Sequence, residues 1–269
     1  MAAEPSRTQL SERAQLAAVA PRATLEPFFG ETAREVLVAL ARNPNLLEPD
    51  LLRLLERQNL PREALSILAA HPEAARSYRV KLALVCHPKT PRLVSLRLLK
   101  FLYLFDLMRV SQTPAALPEV KRAAEETILK KVQALPRGEK ITLAHRGSGR
   151  VAAALLVSED GELIRAALGN PYLSEAHLLK VLSLHGLPSV LVELISEHER
   201  WSRAYHLRLA LIRNPLTPFA RVLEFLPNIA VSDLRDICRD PGMPEQVRKY
   251  IIAHCAERLN PKSVQEFGH

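Results

Sequence analysis

Apolar residues recur three and four positions apart along most of the chain, and proline-containing turns separate the segments that show this spacing. Leu, Val and Ala supply most of these apolar positions. The spacing places them on one face of a helix, and that face must be buried against a neighbour. The pattern predicts helices over residues 31–42, 48–58, 62–70, 76–86 and 91–102.

Turn residues mark where these helices begin and end. Thr90 and Thr217 each offer a hydroxyl for a helix N-cap and are followed by a proline that suits the first helical position. Asn43-Pro44 and Asn170-Pro171 predict helix ends, because proline cannot continue a helix. No run of strand length alternates apolar and polar residues, and only residues 141–145 are ambiguous. The predicted fold class is therefore all-α.

The second half of the chain repeats the first. The chain aligns with itself without a gap, pairing Asn43-Pro44 with Asn170-Pro171, Leu60-Pro61 with Leu187-Pro188, and Thr90-Pro91 with Thr217-Pro218. Over residues 43–114, 23 of the 72 aligned pairs are identical, and most of them are apolar residues or proline. A single helix pair cannot bury its apolar face alone, so repeated pairs must stack. The repeat predicts an α-solenoid of stacked helical pairs with an internally duplicated unit.

An apolar residue followed by a basic one precedes an Asn-Pro or His-Pro turn in three places: Val80-Lys81 before His87-Pro88, Ile164-Arg165 before Asn170-Pro171, and Leu207-Arg208 before Asn214-Pro215. These segments resemble the leucine-rich repeat variant and, more broadly, HEAT and armadillo repeats. The resemblance implies a HEAT- or armadillo-like superhelix that offers a binding surface, and it implies no shared activity. The predicted organisation is an N-terminal arm or capping helix (1–30), a first repeat block (31–137), connecting helices or a loop (138–160), a second repeat block (161–259) and a C-terminal tail (260–269).

The net charge of +8 is concentrated in the middle of the chain. Residues 71–150 contain 16 Lys or Arg and 6 Asp or Glu, a balance of +10, so the other residues sum to −2. A basic region of this kind attracts an acidic partner such as nucleic acid, an anionic membrane surface or an acidic protein. The alternative is that these cations are only the solvated faces of helices.

The cysteines and the longest apolar runs bear on the setting of the protein. Cys86, Cys238 and Cys255 are odd in number and far apart, so they predict neither a disulfide framework nor a metal site. We therefore expect a cytoplasmic protein. No apolar run approaches the roughly 18 residues that a transmembrane helix needs, so no transmembrane segment is predicted.

Few residues suggest chemistry. The sequence contains no His-Glu-x-x-His motif and no close Cys/His cluster, and we predict no metal, cofactor or catalytic residue. The glycines and arginines of the stretch 145–150 suit a phosphate, but we favour a loop that joins two helices, with Ser148 near a helix start. Asp106 and Asp233 occupy equivalent positions, which favours a cap or a hydrogen bond between repeats over catalysis.

Basic residues at matching places in the two halves are the candidate binding residues. On a solenoid they would form a stripe that meets phosphates or acidic side chains. The alternative is that the arginines cover apolar surface while Tyr78 and Tyr205 pack between repeats with satisfied hydroxyls. The candidate binding residues are Arg76, Arg79, Lys81, Arg203 and Arg208.

Three functions follow as hypotheses. The leading one is a non-catalytic helical-repeat scaffold for a protein or peptide partner, and the alternative is a solenoid that binds nucleic acid through residues 71–150. The third is a HEAT-like DNA glycosylase with an aromatic platform at Trp201 and a carboxylate from Glu197 or Glu199.

Overall fold

The structure is a computed structural model that describes residues 7–240 and 242–254. These residues form α-helices and short 3-10 helices, and none of them lies in a strand. The all-α prediction is confirmed, and the ambiguous residues 141–145 lie within a helix. Over the same residues, no helix combines the length and the apolar character that crossing a membrane requires. The solenoid arrangement stays a prediction, and Cys255 and the predicted tail 260–269 lie outside the described residues.

The chain divides into two compact units, Met1–Gln133 and Ala134–His269. The helices of unit 1 are α1 (Arg7–Val19), α2 (Glu26–Phe29), α3 (Arg34–Ala41), α4 (Glu48–Leu55), α5 (Arg62–Ala70), α6 (Pro72–Arg76), α7 (Tyr78–Cys86), α8 (Arg92–Leu99), α9 (Leu104–Gln112) and α10 (Pro118–Lys131). The helices of unit 2 are α11 (Arg137–Arg146), α12 (Gly149–Leu155), α13 (Gly161–Leu168), α14 (Glu175–Leu182), α15 (Ser189–Glu197), α16 (Tyr205–Arg213), α17 (Phe219–Phe225), α18 (Val231–Arg239) and α19 (Glu245–His254). Short 3-10 helices occupy Arg22–Thr24, Val132–Ala134 and Leu226–Asn228.

Helices that lie two or three apart in the chain pack against each other within each unit. In unit 1, α3 packs on α1 and α5, while α4 packs on α7. In unit 2, α13 packs on α11 and α15, while α14 packs on α12 and α16. The apolar stripes face these contacts, so residues such as Leu40, Leu65 and Leu84 in unit 1 and Leu178 and Leu211 in unit 2 are fully buried. Replacing one of them with Ala would cost about 2 to 5 kcal/mol of stability.

The two units share one helix plan. In the alignment of the chain with itself, the bounds of α3, α4, α5, α7 and α9 coincide without a shift with those of α13, α14, α15, α16 and α18. The plan extends beyond the aligned sequence, because α11 and α12 occupy the places of α1 and α2. The predicted connecting segment 138–160 contains α12 and most of α11, and the division at Gln133 lies before the predicted end of the first block at residue 137.

The threonines do not cap the helices that follow them. Pro91 and Pro218 themselves hold the extended cap position before α8 and α17, and no side chain caps either helix. The hydroxyl of Thr217 instead donates to the carbonyl of Leu211, 2.6 Å away near the end of α16. The N-cap prediction was wrong: the Thr217 hydroxyl satisfies the preceding helix rather than the following one, and the buried Thr90 hydroxyl forms no hydrogen bond within the described residues.

Candidate interaction surface

The predicted binding cations of unit 1 all have partners within the unit. Arg76 pairs with Glu73 at 3.3 Å, and Arg79 pairs with Glu48 at 3.5 Å. The ammonium group of Lys81 donates to the carbonyl of Ala75 at 2.6 Å. Arg76 and Arg79 are exposed, so a partner could still reach them, whereas Lys81 has a structural role at the end of α6.

The cations of unit 2 repeat this arrangement at one of two positions. Arg208 donates to the carbonyl of Ser202 at 2.6 Å, which is the counterpart of the bond from Lys81 to Ala75. Arg203 pairs with Glu199 at 2.9 Å. Equivalent bonds at equivalent positions indicate that Lys81 and Arg208 stabilise the chain turn before α7 and α16. The proposal that the five cations bind a partner stays a prediction.

The two repeated tyrosines are structural. The hydroxyl of Tyr78 donates to the Asp106 carboxylate and accepts the Tyr103 backbone N–H at 3.1 Å. Burial and the hydrogen bond to Asp106 raise the pKa of Tyr78 above its ordinary value. These contacts confirm that the tyrosine hydroxyl is satisfied and that the aspartate links helices. Unit 2 repeats both arrangements, which favours a structural role over a catalytic one.

In unit 2, Tyr205 makes the same contacts. Its hydroxyl donates to Asp233 and accepts the backbone N–H of Ala230 at 3.1 Å. The hydrogen bond to Asp233 raises the pKa of Tyr205.

Buried Asn and His side chains close the turns after several helices. Asn43 donates to the carbonyls of Ala17 and Ala20 at 2.8 and 2.9 Å, and its own carbonyl oxygen accepts the N–H of Asn45. Asn170 makes the same set of bonds at the equivalent place in unit 2. His87 accepts the N–H of Lys89 and contacts the carbonyl of Arg57 at 3.0 Å, which confirms it as a turn residue.

The stretch 145–150 is a tight helix junction. Its Ser148 hydroxyl accepts the Val151 N–H as the N-cap of α12, as one of the two interpretations expected. A Cβ on Gly149 would lie 2.2 Å from the Tyr172 carbonyl oxygen, and one on Gly147 would lie 2.5 Å from that of Leu143. The glycines are therefore required for close packing, which leaves the phosphate interpretation without a reason for them.

The residues proposed for a glycosylase do not form an open site. Trp201 is only 3% exposed, and its indole N–H donates to the Leu168 carbonyl at 2.9 Å. Glu199 is paired with Arg203. In the part of the chain that the structure describes, no three His, Cys, Asp or Glu residues come together in a way that could hold a metal ion. Burial raises the pKa of the Cys86 thiol, which keeps it protonated and weakly nucleophilic.

A different surface stands out on α8, on the turn that follows it and at the start of α9. Large apolar side chains are exposed there: Leu93 is 68% exposed, Phe101 50%, Tyr103 69% and Phe105 45%. Exposed cations lie among them at Arg97 and Lys100. Single exposed apolar residues are common, whereas several so close together in the chain form a patch of the kind found at binding sites. We call Leu93, Arg97, Lys100, Phe101, Tyr103 and Phe105 the aromatic–basic surface.

Contacts with α7 show that two aromatic residues of the aromatic–basic surface, Phe101 and Tyr103, are neighbours. The ring of Tyr103 packs on Tyr78, with 4.4 Å between ring centroids. One turn farther along α7, the Lys81 ammonium lies 5.2 Å from the centroid of the Phe101 ring. The Lys100 ammonium lies 4.9 Å from the same centroid. Because Tyr78 and Lys81 are three residues apart on one helix face, Phe101 and Tyr103 lie side by side along it.

The equivalent surface of unit 2 has a different composition. The positions that match Phe101, Tyr103 and Phe105 are Asn228, Ala230 and Ser232, and they are exposed as well. Leu93 and Arg97 correspond to Ala220 and Glu224, which are also exposed. The same helix plan is thus built without these aromatic and basic residues, so the fold does not require them.

The surrounding charge is positive. From residue 74 to residue 105 the chain contains seven Lys or Arg and no Asp or Glu. Of these, Lys89, Arg92 and Arg97 form no ion pair within residues 7–240 and 242–254. Arg92 is the first residue of α8, where the helix dipole disfavours a cation. Helix stability therefore does not explain it.

Two grooves recur at equivalent places. One of about 370 Å³ lies between α4 and α7 and is lined by Leu55, Ala83 and His87. The other, of about 360 Å³, is lined by their counterparts in unit 2, Leu182, Ala210 and Asn214. A groove that both units share follows from the packing of these helices and does not by itself indicate a ligand.

No protein-family model, no curated protein and no solved structure matches this chain. The resemblance to helical-repeat families therefore stays a prediction. The aromatic–basic surface was missed in the sequence, because exposed and buried apolar residues look alike in a periodic pattern. The one available signal was the mismatch between Phe101, Tyr103 and Phe105 and their counterparts in the repeat.

Proposed function

We propose that the chain is a non-catalytic α-solenoid scaffold of the cytoplasm that binds a protein or peptide partner through the aromatic–basic surface. The observation that supports it is the exposure of Phe101, Tyr103 and Phe105 at places where unit 2 has Asn, Ala and Ser in the matching turn and at the start of the matching helix. Aromatic residues and arginine are enriched where proteins bind each other, and exposing them to solvent has no benefit for folding.

The polar groups that sequence reasoning singled out favour a scaffold over an enzyme. The tyrosine–aspartate pairs, Asn43 and Asn170, and the indole of Trp201 all have structural hydrogen bonds. An enzyme needs a nucleophile, acid or base that remains available to substrate, together with a group that orients it. Trp201 is buried and Glu199 is paired with Arg203, while Glu197 is exposed but has no group among the described residues that orients it, so we do not propose that activity.

Nucleic acid is the second candidate partner, because seven cations lie in a stretch without any carboxylate. Single-stranded binding also needs open aromatic faces on which bases stack. Here two ammonium groups lie over the Phe101 ring, and Tyr78 covers part of the Tyr103 ring. The surface thus has the charge for nucleic acid but few free ring faces, which favours a protein partner.

The test is affinity capture from nuclease-treated lysate with two forms of the full chain. One is the natural sequence, and the other carries Phe101→Asn, Tyr103→Ala and Phe105→Ser, which are the residues of unit 2. We expect a set of proteins that the natural chain enriches and the triple variant loses. Equal recovery by both forms would refute the proposed surface.

A matched control places the aromatic residues on the other unit. The variant Asn228→Phe, Ala230→Tyr and Ser232→Phe should recover the same partners as the natural chain. If a parallel capture from untreated lysate recovers partners that nuclease treatment removes, and the natural chain binds DNA or RNA with an affinity that falls steeply with salt, the second candidate replaces the first.

A further inference from the structure

Four exposed residues of α8 and of the turn after it form one stripe. Leu93, Arg97, Lys100 and Phe101 are spaced by four, three and one residues, so they follow one side of α8 and its terminal turn. Eight residues of helix span about 12 Å, which matches about two turns of a partner helix lying alongside. Apolar groups stand at both ends of the stripe and cations stand between them.

The cations of this stripe lack nearby acidic partners. The nearest carboxylate that follows in the chain, Asp106, accepts from Tyr78 and pairs with Arg109 at 3.7 Å. The helix dipole favours Arg97 and Lys100 at the C-terminal end of α8. It disfavours Lys89 just before the helix and Arg92 at its start. Their counterparts in unit 2 are Leu216 and Phe219, so the shared helix plan does not need charge there. This cluster of uncompensated positive charge complements an anionic partner.

We propose that the aromatic–basic surface binds an acidic amphipathic helix of a partner protein. Its apolar residues would pack on Leu93 and Phe101, and its carboxylates would meet Arg97 and Lys100. This inference rests on the proposed function and adds the chemistry of the partner. It combines two features of one stripe, apolar anchors at helical spacing and cations without acidic neighbours.

The apolar anchors separate this partner from other anions. Leu93 is aliphatic and largely exposed, and it offers packing to a peptide side chain but no ring face to a base. The Phe101 ring already carries two ammonium groups, so a stacking base would have to displace one of them. Peptide side chains can instead pack on the ring edge and on the lysine stems.

The experiment measures binding of fluorescent probes to the full chain by anisotropy. The main probe is a 16-residue peptide with Leu and Phe at helical spacing and Glu at its other positions. A second peptide has the same composition in an order that removes the apolar face. A single-stranded oligonucleotide and vesicles of phosphatidylserine and phosphatidylcholine represent the other anionic partners.

We expect the amphipathic peptide to bind more tightly than its reordered form. The variant Arg97→Glu, Lys100→Glu should weaken binding about tenfold, because two exposed charge pairs become repulsive. Arg165→Glu, Lys180→Glu makes the same change of charge at two exposed positions of unit 2 and should leave binding unchanged. Unaltered thermal unfolding of each variant shows that folding is intact.

Three results would overturn the inference: equal binding of the two peptides, no effect of the Arg97 and Lys100 reversals, or tighter binding of the oligonucleotide or the vesicles. Its failure is distinct from failure of the proposed function. If cellular partners are lost with Phe101→Asn, Tyr103→Ala, Phe105→Ser but retained with the charge reversals, the surface binds proteins and only the acidic helix is wrong.

Discussion

Tyr78 on α7 and Asp106 on α9 are far apart in the chain, yet the tyrosine hydroxyl donates a hydrogen bond to the aspartate carboxylate. The same hydroxyl accepts the backbone N–H of Tyr103, just before α9 begins. One phenol group therefore fixes both the start of α9 and its position on α7. Unit 2 repeats the arrangement with Tyr205, Asp233 and Ala230.

Removing this hydroxyl should destabilise the chain. We expect Tyr78→Phe to lower the free energy of unfolding by about 0.5 to 1.5 kcal/mol, because the carboxylate of Asp106 and the N–H of Tyr103 both lose a partner. Chemical denaturation measures the change. Tyr103→Phe is the control, since its hydroxyl makes no hydrogen bond within the described residues, and an equal loss there would contradict the assignment.

Asn170 should be among the least replaceable polar residues of unit 2. Asn170→Ala leaves the carbonyls of Ala144 and Gly147 without their buried donor, and we expect a loss of about 2 to 4 kcal/mol. Asn214 is the comparison residue, because it is only half-buried and accepts one N–H, from Leu216. Similar melting temperatures for Asn170→Ala and Asn214→Ala would show that the two amides are equivalent after all.

His198 should make stability depend on pH. Its Nδ1 accepts the N–H of Arg200 at 3.2 Å, and burial together with the charge of Arg200 lowers the pKa of His198 below its ordinary 6.5. The unfolded chain therefore takes up a proton first as the pH falls. The stability that neutral His198 contributes is fully present above pH 6.5 and is lost as the pH falls from 6.5 toward the lowered pKa.

The variant His198→Asn tests this directly. In the turns at Asn43, Asn170 and Asn214 the amide oxygen accepts the N–H two residues later, as His198 does, so Asn can keep the bond to the backbone N–H without titrating. Between about pH 8 and about pH 5, we expect the free energy of unfolding to fall more steeply for the natural chain than for this variant. The same pH dependence in both would mean that His198 does not contribute.

The glycines of unit 2 should respond differently to a methyl group. Gly149→Ala places a Cβ 2.2 Å from the carbonyl oxygen of Tyr172, so we expect a loss of about 1 to 3 kcal/mol. Gly138→Ala meets nothing within 4 Å in α11 and should gain about 0.4 to 1 kcal/mol. Thermal unfolding of the two single variants checks the contrast, and a stable Gly149→Ala would reopen a functional interpretation of residues 145–150.

Sequence periodicity was sufficient for the helices but not for the surface. The spacing of Leu, Val and Ala predicted all-α structure, and the recurrence of Asp106 at Asp233 correctly indicated a structural bond. Leu93 and Leu99 belong to the same helix and the same residue type, yet one is exposed and the other buried. Only the packing of α8 on its neighbours decides which, and no local pattern contains that information.

The ion pair of Arg79 and the hydrogen bond of Thr217 could not be predicted for a related reason. Arg79 of α7 pairs with Glu48 at the start of α4, so its partner depends on how these two helices pack. From the sequence, the Thr217 hydroxyl could bond either a carbonyl of the preceding helix or an N–H of the following one. In the folded chain it donates to the carbonyl of Leu211 in the preceding helix. Interactions within one helix could be read from spacing, whereas those between helices required the fold.

The bonds of Asn43 determine where the first unit can be cut. Its amide group is fully buried and donates to carbonyls at and just beyond the end of α1. A chain shortened to begin at residue 31 would retain the buried amide and lose both acceptors. Truncation between α1 and α3 should therefore yield an unstable fragment rather than a minimal domain, and a shortened form of unit 1 should keep the whole of α1.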